Sequence, residues 1–165
     1  MSDSRIFIDA SLFLGMHGSD EPTRIACKNF FVEHLHGVVT MSLEHVGRCD
    51  DMVWRYQRAV QDAYYPFMDN LHTDMKIPRR GYEAPDLHRA LEAPELAAIP
   101  LFDRLLLAMV MNHDGVLYTA SPHLWGRRGV PVQAPEVGRM ESVFPEKLEA
   151  LYGESLRLRF DGMLP

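Results

Sequence analysis

Residues 101–120 read LFDRLLLAMVMNHDGVLYTA, and the way the pattern changes along them decides the fold. Leu101 to Asn112 follow Pro100 as a nearly unbroken apolar run, which predicts a helix buried on most of its surface. The run ends before Gly115, and Val116 to Ala120 then give a short strand that stops at the polar Ser121. The same alternation recurs upstream. Arg5 to Ile8, RIFI, predicts a strand with Asp9 at its carboxyl end, followed by ASLFLGMHG with turn chemistry at its glycines. EPTRIACKNFFVEHLHG predicts a helix from Glu21, with Ile25, Phe30, Phe31 and Leu35 at helical spacing, Pro22 in the first turn and Gly37 as the stop. Val38 to Met41 predict a second strand, and Ser42 with Glu44 opens a helix extending to about Tyr65.

Residues 66–100 hold prolines at 66, 78, 85 and 94, ahead of Pro100, and predict an irregular segment with short helices around Leu71 and Leu87 to Leu91. Toward the end, FPEKLEALYG predicts a short helix, and Ser155 to Phe160, SLRLRF, predict an edge strand. Strands separated by helices imply one α/β domain over residues 1–165. Its mostly parallel central sheet would carry helices on both faces, joined by right-handed crossovers.

Composition agrees with one folded domain. The chain has 165 residues, 47% of them apolar and 24% charged. A net charge of −6 argues against a broad nucleic-acid platform, while leaving room for a basic rim around an acidic pocket filled by cations. Cys27 and Cys49 are too few for a disulfide scaffold and are read as reduced thiols. The start, MSDSR, leads directly into the first strand without the features of a secretory signal, and no run approaches the ~18 apolar residues of a membrane span. The expectation is a cytoplasmic protein with no membrane partner.

The predicted topology also locates the site, because ligands of open parallel sheets bind beyond the carboxyl ends of the strands. Asp9 leaves the first strand, Glu44 follows the second, and Asp103 lies in the first turn of the helix that feeds the Val116 strand. Each could serve only as a helix cap or dipole partner. Together at one edge they would repel unless protons or cations intervened, and hard oxygen-binding ions, Mg²⁺ or Mn²⁺, suit such a set. One or two such ions would activate water for in-line attack on a phosphodiester.

The stretches IFIDASLFL at 6–14, TMSLEH at 40–45 and FDRLLLAMVMNHDGVLYTAS at 102–121 resemble the PIN domain family of metal-dependent ribonucleases. The resemblance spans roughly residues 5–125 and rests on scattered acids rather than one contiguous signature. It implies a three-layer sandwich that cleaves single-stranded RNA with Mg²⁺ or Mn²⁺, and Asp9, Glu44 and Asp103 as the metal-binding acids. Where the family usually has Thr-x-Asp, this chain has Thr119, Ala120 and Ser121, so a hydroxyl replaces a carboxylate. Asp114 cannot substitute, since it falls in the turn before the strand. Ser121 is then the remaining polar group at that position, and a catalytically degenerate, PIN-like interaction or regulatory subunit is the alternative implied. Its partner would be another protein or a second copy of the chain.

Other groups extend these readings. His123, two residues beyond Ser121, would convert the cluster into a mixed histidine and carboxylate site favouring Mn, Fe or Zn if it reached Asp9 or Asp103, and so point to a different metalloenzyme. His34, His36, His45 and Cys49 are close in sequence but match no familiar zinc spacing. Arg48, Arg55 and Arg58, with the pairs Arg79–Arg80 and Arg127–Arg128, could form a phosphate rim, and Trp125, Tyr64 and Tyr65 could stack unpaired bases.

Overall fold

A computed structural model describes residues 5–161, and the MSDS start lies outside the described residues. The elements are β1 (Arg5–Ile8), α1 (Ala10–Gly15), α2 (Glu21–Glu33), β2 (Thr40–Ser42), α3 (Leu43–Trp54) and α4 (Arg58–Asp74). They continue as β3 (Arg79–Arg80), α5 (Ala84–Glu92), α6 (Leu101–Asn112), β4 (Gly115–Tyr118), β5 (Val132–Gln133) and α7 (Glu146–Ser155). The strands form one sheet in the order β3-β2-β1-β4-β5, parallel at every pairing. The fold is therefore α/β with an all-parallel sheet between helical layers.

Alternation along the central strands divides the core in two. Ile8 packs with Phe13, Phe31, Phe67 and Leu71 on the face covered by α1 to α4 and α7. Phe7 and Leu117 pack with Leu106, Leu107 and Val110 on the face covered by α5 and α6. The helices change face where the winding changes direction. α1 to α4 connect β1 to β2 and β2 to β3, moving one way across the sheet, and α5 and α6 return from β3 to β4 behind it. Right-handed crossovers require that exchange of faces. The point of reversal lies between β1 and β4, whose register pairs Phe7 with Leu117 and Ile8 with Tyr118.

Several expectations change. The helix expected from Glu44 to about Tyr65 is two helices, because the chain turns after Trp54 and the Gln61 amide donates to the carbonyls of Tyr56 (2.8 Å) and Trp54 (3.4 Å). Proline does not break α4. Pro66 sits on an exposed face, where its missing amide leaves only the Asp62 carbonyl toward water, and the helix runs on to Asp74. Residues 66–100 are thus mostly regular: the end of α4, the edge strand β3, and α5, whose first turn carries Pro85 and whose Asp86 carboxylate accepts from the Glu83 amide at 2.9 Å. Ser155–Phe160 is not an edge strand. Ser155 ends α7, and Phe160 makes a single parallel bridge to Gly18, so it docks on the turn after α1 rather than on the sheet. The ASLFLGMHG segment is helical at Ala10–Gly15, and β5 supplies the sheet edge beyond β4.

Two buried polar assemblies hold the first face together. Lys28 on α2 is 0% exposed and donates to Glu141 and Glu149 at 2.7 Å each, which fastens α7 and the segment before it over α2. His17 is fully buried against Tyr64 and Tyr152, with Nε2 2.8 Å from the Ser155 hydroxyl. That hydroxyl donates to the Tyr152 carbonyl at 2.6 Å, so His17 Nε2 is the donor.

Burial, with Arg159 and Arg24 adding, brings His17 from the ordinary 6.5 down to about 3. The folded ring is neutral where the unfolded ring takes a proton. His17 therefore costs stability as pH falls below about 6.5, approaching about 1.4 kcal/mol per pH unit until about 3. Denaturant unfolding between pH 6.5 and 4.5 should show His17→Phe losing stability less steeply than wild type by one proton. Parallel slopes would mean that His17 is protonated in the fold.

Candidate functional site at the carboxyl edge of the sheet

Asp9 follows β1 directly in extended backbone and caps α1, its Oδ1 accepting from the Leu12 amide at 3.1 Å and the Ser11 hydroxyl at 2.6 Å. Its Oδ2 accepts from the Thr119 hydroxyl at 2.5 Å, just past β4. The Thr119 oxygen in turn receives the Ser121 amide at 3.1 Å, and Ser11 receives the Ala120 amide at 3.0 Å. This network bridges β1 and β4 at the reversal of strand order, the usual place for a ligand in such sheets. Asp9 is only 3% exposed. Burial pushes its carboxyl above the usual range; the bonds from Ser11, Thr119 and Leu12 oppose that, and the neighbouring charge of Asp103 adds to it.

Glu44 comes from the next strand. Ser42 closes β2 and caps α3 by accepting from the His45 amide at 3.1 Å, which sets Glu44 in the first turn. Glu44 Oε1 accepts from the Tyr82 hydroxyl at 2.8 Å, and Oε2 lies 3.6 Å from the Arg48 guanidinium. Arg48 also stands over the exposed Phe102 ring, 5.6 Å from its centroid. His45 turns inward, its Nδ1 accepting from the Ala10 amide at 2.9 Å, so Nε2 carries the proton. Nε2 is buried without a hydrogen-bond partner among the described residues, 3.8 Å from Glu44 Oε1. Burial, with Arg48 adding, lowers His45 to about 3 and keeps it neutral.

Asp103 approaches from the first turn of α6 and meets His123, Oδ2 to Nε2, at 2.9 Å. The His123 carbonyl accepts from Arg127 Nε at 2.8 Å, and Trp125 donates to the Thr119 carbonyl at 2.9 Å. Asp9, Glu44 and Asp103 thus leave elements that open on one edge, and Ser121 joins them through Thr119. Asp114 does not. It sits in the turn at the start of β4, with φ of 50° and its amide bonded to the Met111 carbonyl, at the opposite end of the strand.

Proximity at one edge is looser than a shared coordination sphere. Each carboxylate has its own hydrogen-bond partners, and among the described residues no three His, Cys, Asp or Glu side chains are grouped as metal ligands. Tyr64 is buried in the core and offers no stacking surface, while Tyr65 is tied to Trp54 and Asp50 through its hydroxyl. Arg55 and Arg58 pair along their own helices with Asp51 and Asp62. His34 stacks on Phe30 and bonds its carbonyl, apart from His45. Sequence reasoning missed the roles of Ser11, His45 and Tyr82. Ser11 was detectable, since a hydroxyl two residues after a helix-capping Asp is placed to share its carboxylate. Tyr82 was not, because only the pairing of β3 with β2 brings it to Glu44.

Residues 1–163 match a family described as a family of unknown function (DUF6190). The chain belongs to that family. A search of curated proteins finds no match to it.

Asp9→Asn keeps an oxygen for the Leu12 amide, and its new amide group can donate to Thr119, so the variant should fold. Because the Asp9 pKa is raised in the fold, wild type gains relative stability as pH falls and loses it as pH rises through the folded pKa. Melting curves should show Asp9→Asn at least as stable as wild type at pH 8, with its advantage shrinking toward pH 4.5. Asp9→Ala loses the cap and should be destabilised by about 1 kcal/mol. An Asn variant that melts as low as the Ala variant would mean that the buried charge contributes to stability.

Proposed function

We propose that the protein is a divalent-metal-dependent ribonuclease of PIN type acting on single-stranded RNA. The observation that carries this reading is the delivery of Asp9, Glu44 and Asp103 to one sheet edge at the reversal of strand order, with the Asp103 charge felt at the buried Asp9. The donors fit Mg²⁺ or Mn²⁺: they are carboxylate oxygens, and a cation would offset the burial, and the lesser Asp103 charge, that raise Asp9. When bound, such an ion supplies charge for the phosphodiester oxygens and an activated water. Asp9, Glu44 and Asp103 would hold it. Ser11 and Thr119 fix the Asp9 carboxylate, and the Ser121 amide is bonded to Thr119 beside it. Phe102 and Trp125, 61% and 41% exposed, offer ring faces to unpaired bases, with Arg127 and Arg128 available to phosphates. This reading includes a cytoplasmic setting, in keeping with buried Cys27 and Cys49 and with no described helix long and apolar enough to cross a membrane.

Specific observations favour two other readings. Thr119 already occupies Asp9 Oδ2, and no acid stands at Ala120 or Ser121, as in a PIN-like interaction subunit that binds a protein partner or a second copy of the chain without cleaving. The contact between His123 and Asp103 suits a mixed site taking Mn, Fe or Zn. Titration with Mg²⁺, Mn²⁺ and Zn²⁺, followed by melting and by cleavage of single-stranded RNA, separates them. The nuclease reading expects Mg²⁺ or Mn²⁺ to raise the melting temperature and support cleavage, with Asp9→Asn lowering the rate by ~100-fold or more. Melting that ignores all three ions, with no cleavage, leaves the interaction subunit. Stabilisation by Zn²⁺ alone, lost in His123→Gln, selects the mixed site.

A further inference from the structure

We infer that His45 is a positioning residue for Glu44, competing with Tyr82 for Glu44 Oε1 and holding that carboxylate in its working position. The inference rests on the reading of this edge as a cation site and names how one of its acids is delivered.

The His45 ring can donate only from Nε2, because Nδ1 is taken by the Ala10 amide. That N–H is buried and without a partner among the described residues, although a buried donor left unpaired is costly. Glu44 Oε1 stands 3.8 Å away, slightly beyond hydrogen-bond range, and is held at 2.8 Å by the Tyr82 hydroxyl. One oxygen therefore faces two donors. A turn of the Glu44 side chain would exchange them, and the cost on the Tyr82 side is small, since its hydroxyl also has Ser42 Oγ at 3.4 Å. Arg48 lies 3.6 Å from the other oxygen, so the contested oxygen is Oε1 alone.

The two positions differ in direction. Tyr82 follows β3 at the outer edge of the sheet, whereas the His45 ring reaches the first residue of α1, next to Asp9. With strands in the order β3-β2-β1-β4, Tyr82 holds Glu44 from the β3 side, whereas His45 would hold it on the helix that follows β2, one strand nearer to β1.

The test uses the full chain and side-chain ¹⁵N spectra of its histidines. In ion-free buffer Tyr82→Phe deletes the competing donor, so the His45 Nε2 proton should move downfield and exchange more slowly as it gains Glu44. The same change should appear in wild type when Mg²⁺ is added. His45→Asn keeps an acceptor for the Ala10 amide but removes the far donor, and should weaken Mg²⁺ or Mn²⁺ binding by about 10–100-fold with a melting temperature close to wild type. His45→Gln restores a donor near the Nε2 position and should recover part of that affinity. An unchanged Nε2 proton in Tyr82→Phe, or wild-type ion affinity in His45→Asn, overturns the inference. A wild-type protein that binds neither ion defeats the proposed function instead, and the ion-free Tyr82→Phe spectrum still decides whether the two donors compete.

Discussion

The Asp9 carboxylate is the junction on which the carboxyl edge of this fold depends. One oxygen caps α1, and the other accepts from Thr119 beyond β4, so one side chain ties the exit of β1 to the exit of its neighbour where the sheet reverses direction. Burying a carboxylate is unfavourable unless its lone pairs are satisfied, and here Ser11, Leu12 and Thr119 satisfy them. Desolvation, with Asp103 adding, opposes the ionised form while three donors favour it, and the balance leaves the carboxyl pKa raised. A group balanced in that way belongs more naturally to a site than to a scaffold.

The rest of the edge is assembled by short strands that hand directly to helices. β2 passes into α3 through Ser42, which is at once the last strand residue and the helix cap, so Glu44 and His45 have little freedom in where they point. Asp103 reaches the same edge on a helix from the opposite layer, since the winding reverses between β1 and β4. Acids from both helical layers are therefore delivered to one sheet edge without any of them being adjacent in sequence.

Farther away, buried polar groups hold the helical layer that covers this edge. Lys28 draws Glu141 and Glu149 onto α2, and His17 sits among aromatic rings with its proton committed to Ser155. These long-range pairings fasten α7 to α2 and to the turn after α1, on which the chain after α7 also docks.

How much could be read beforehand follows from the range of each interaction. The sequence by itself determined the α/β class, the strand at Arg5–Ile8, the helix at Leu101–Asn112 and the placement of Asp9, Glu44 and Asp103 at one edge. Those depend on local periodicity and on strand-to-helix order, which are written in neighbouring residues. It also separated Asp114 from the cluster, because the two ends of one strand cannot meet. Tertiary structure decided the break after Trp54, the passage of α4 through Pro66, the loss of the strand expected at Ser155–Phe160, and the partners of each acid. Thr119 reaching Asp9, Tyr82 holding Glu44 and His123 meeting Asp103 are contacts between groups distant in sequence that the fold brings together. Their energies arise from burial and hydrogen-bond geometry, which no local pattern encodes.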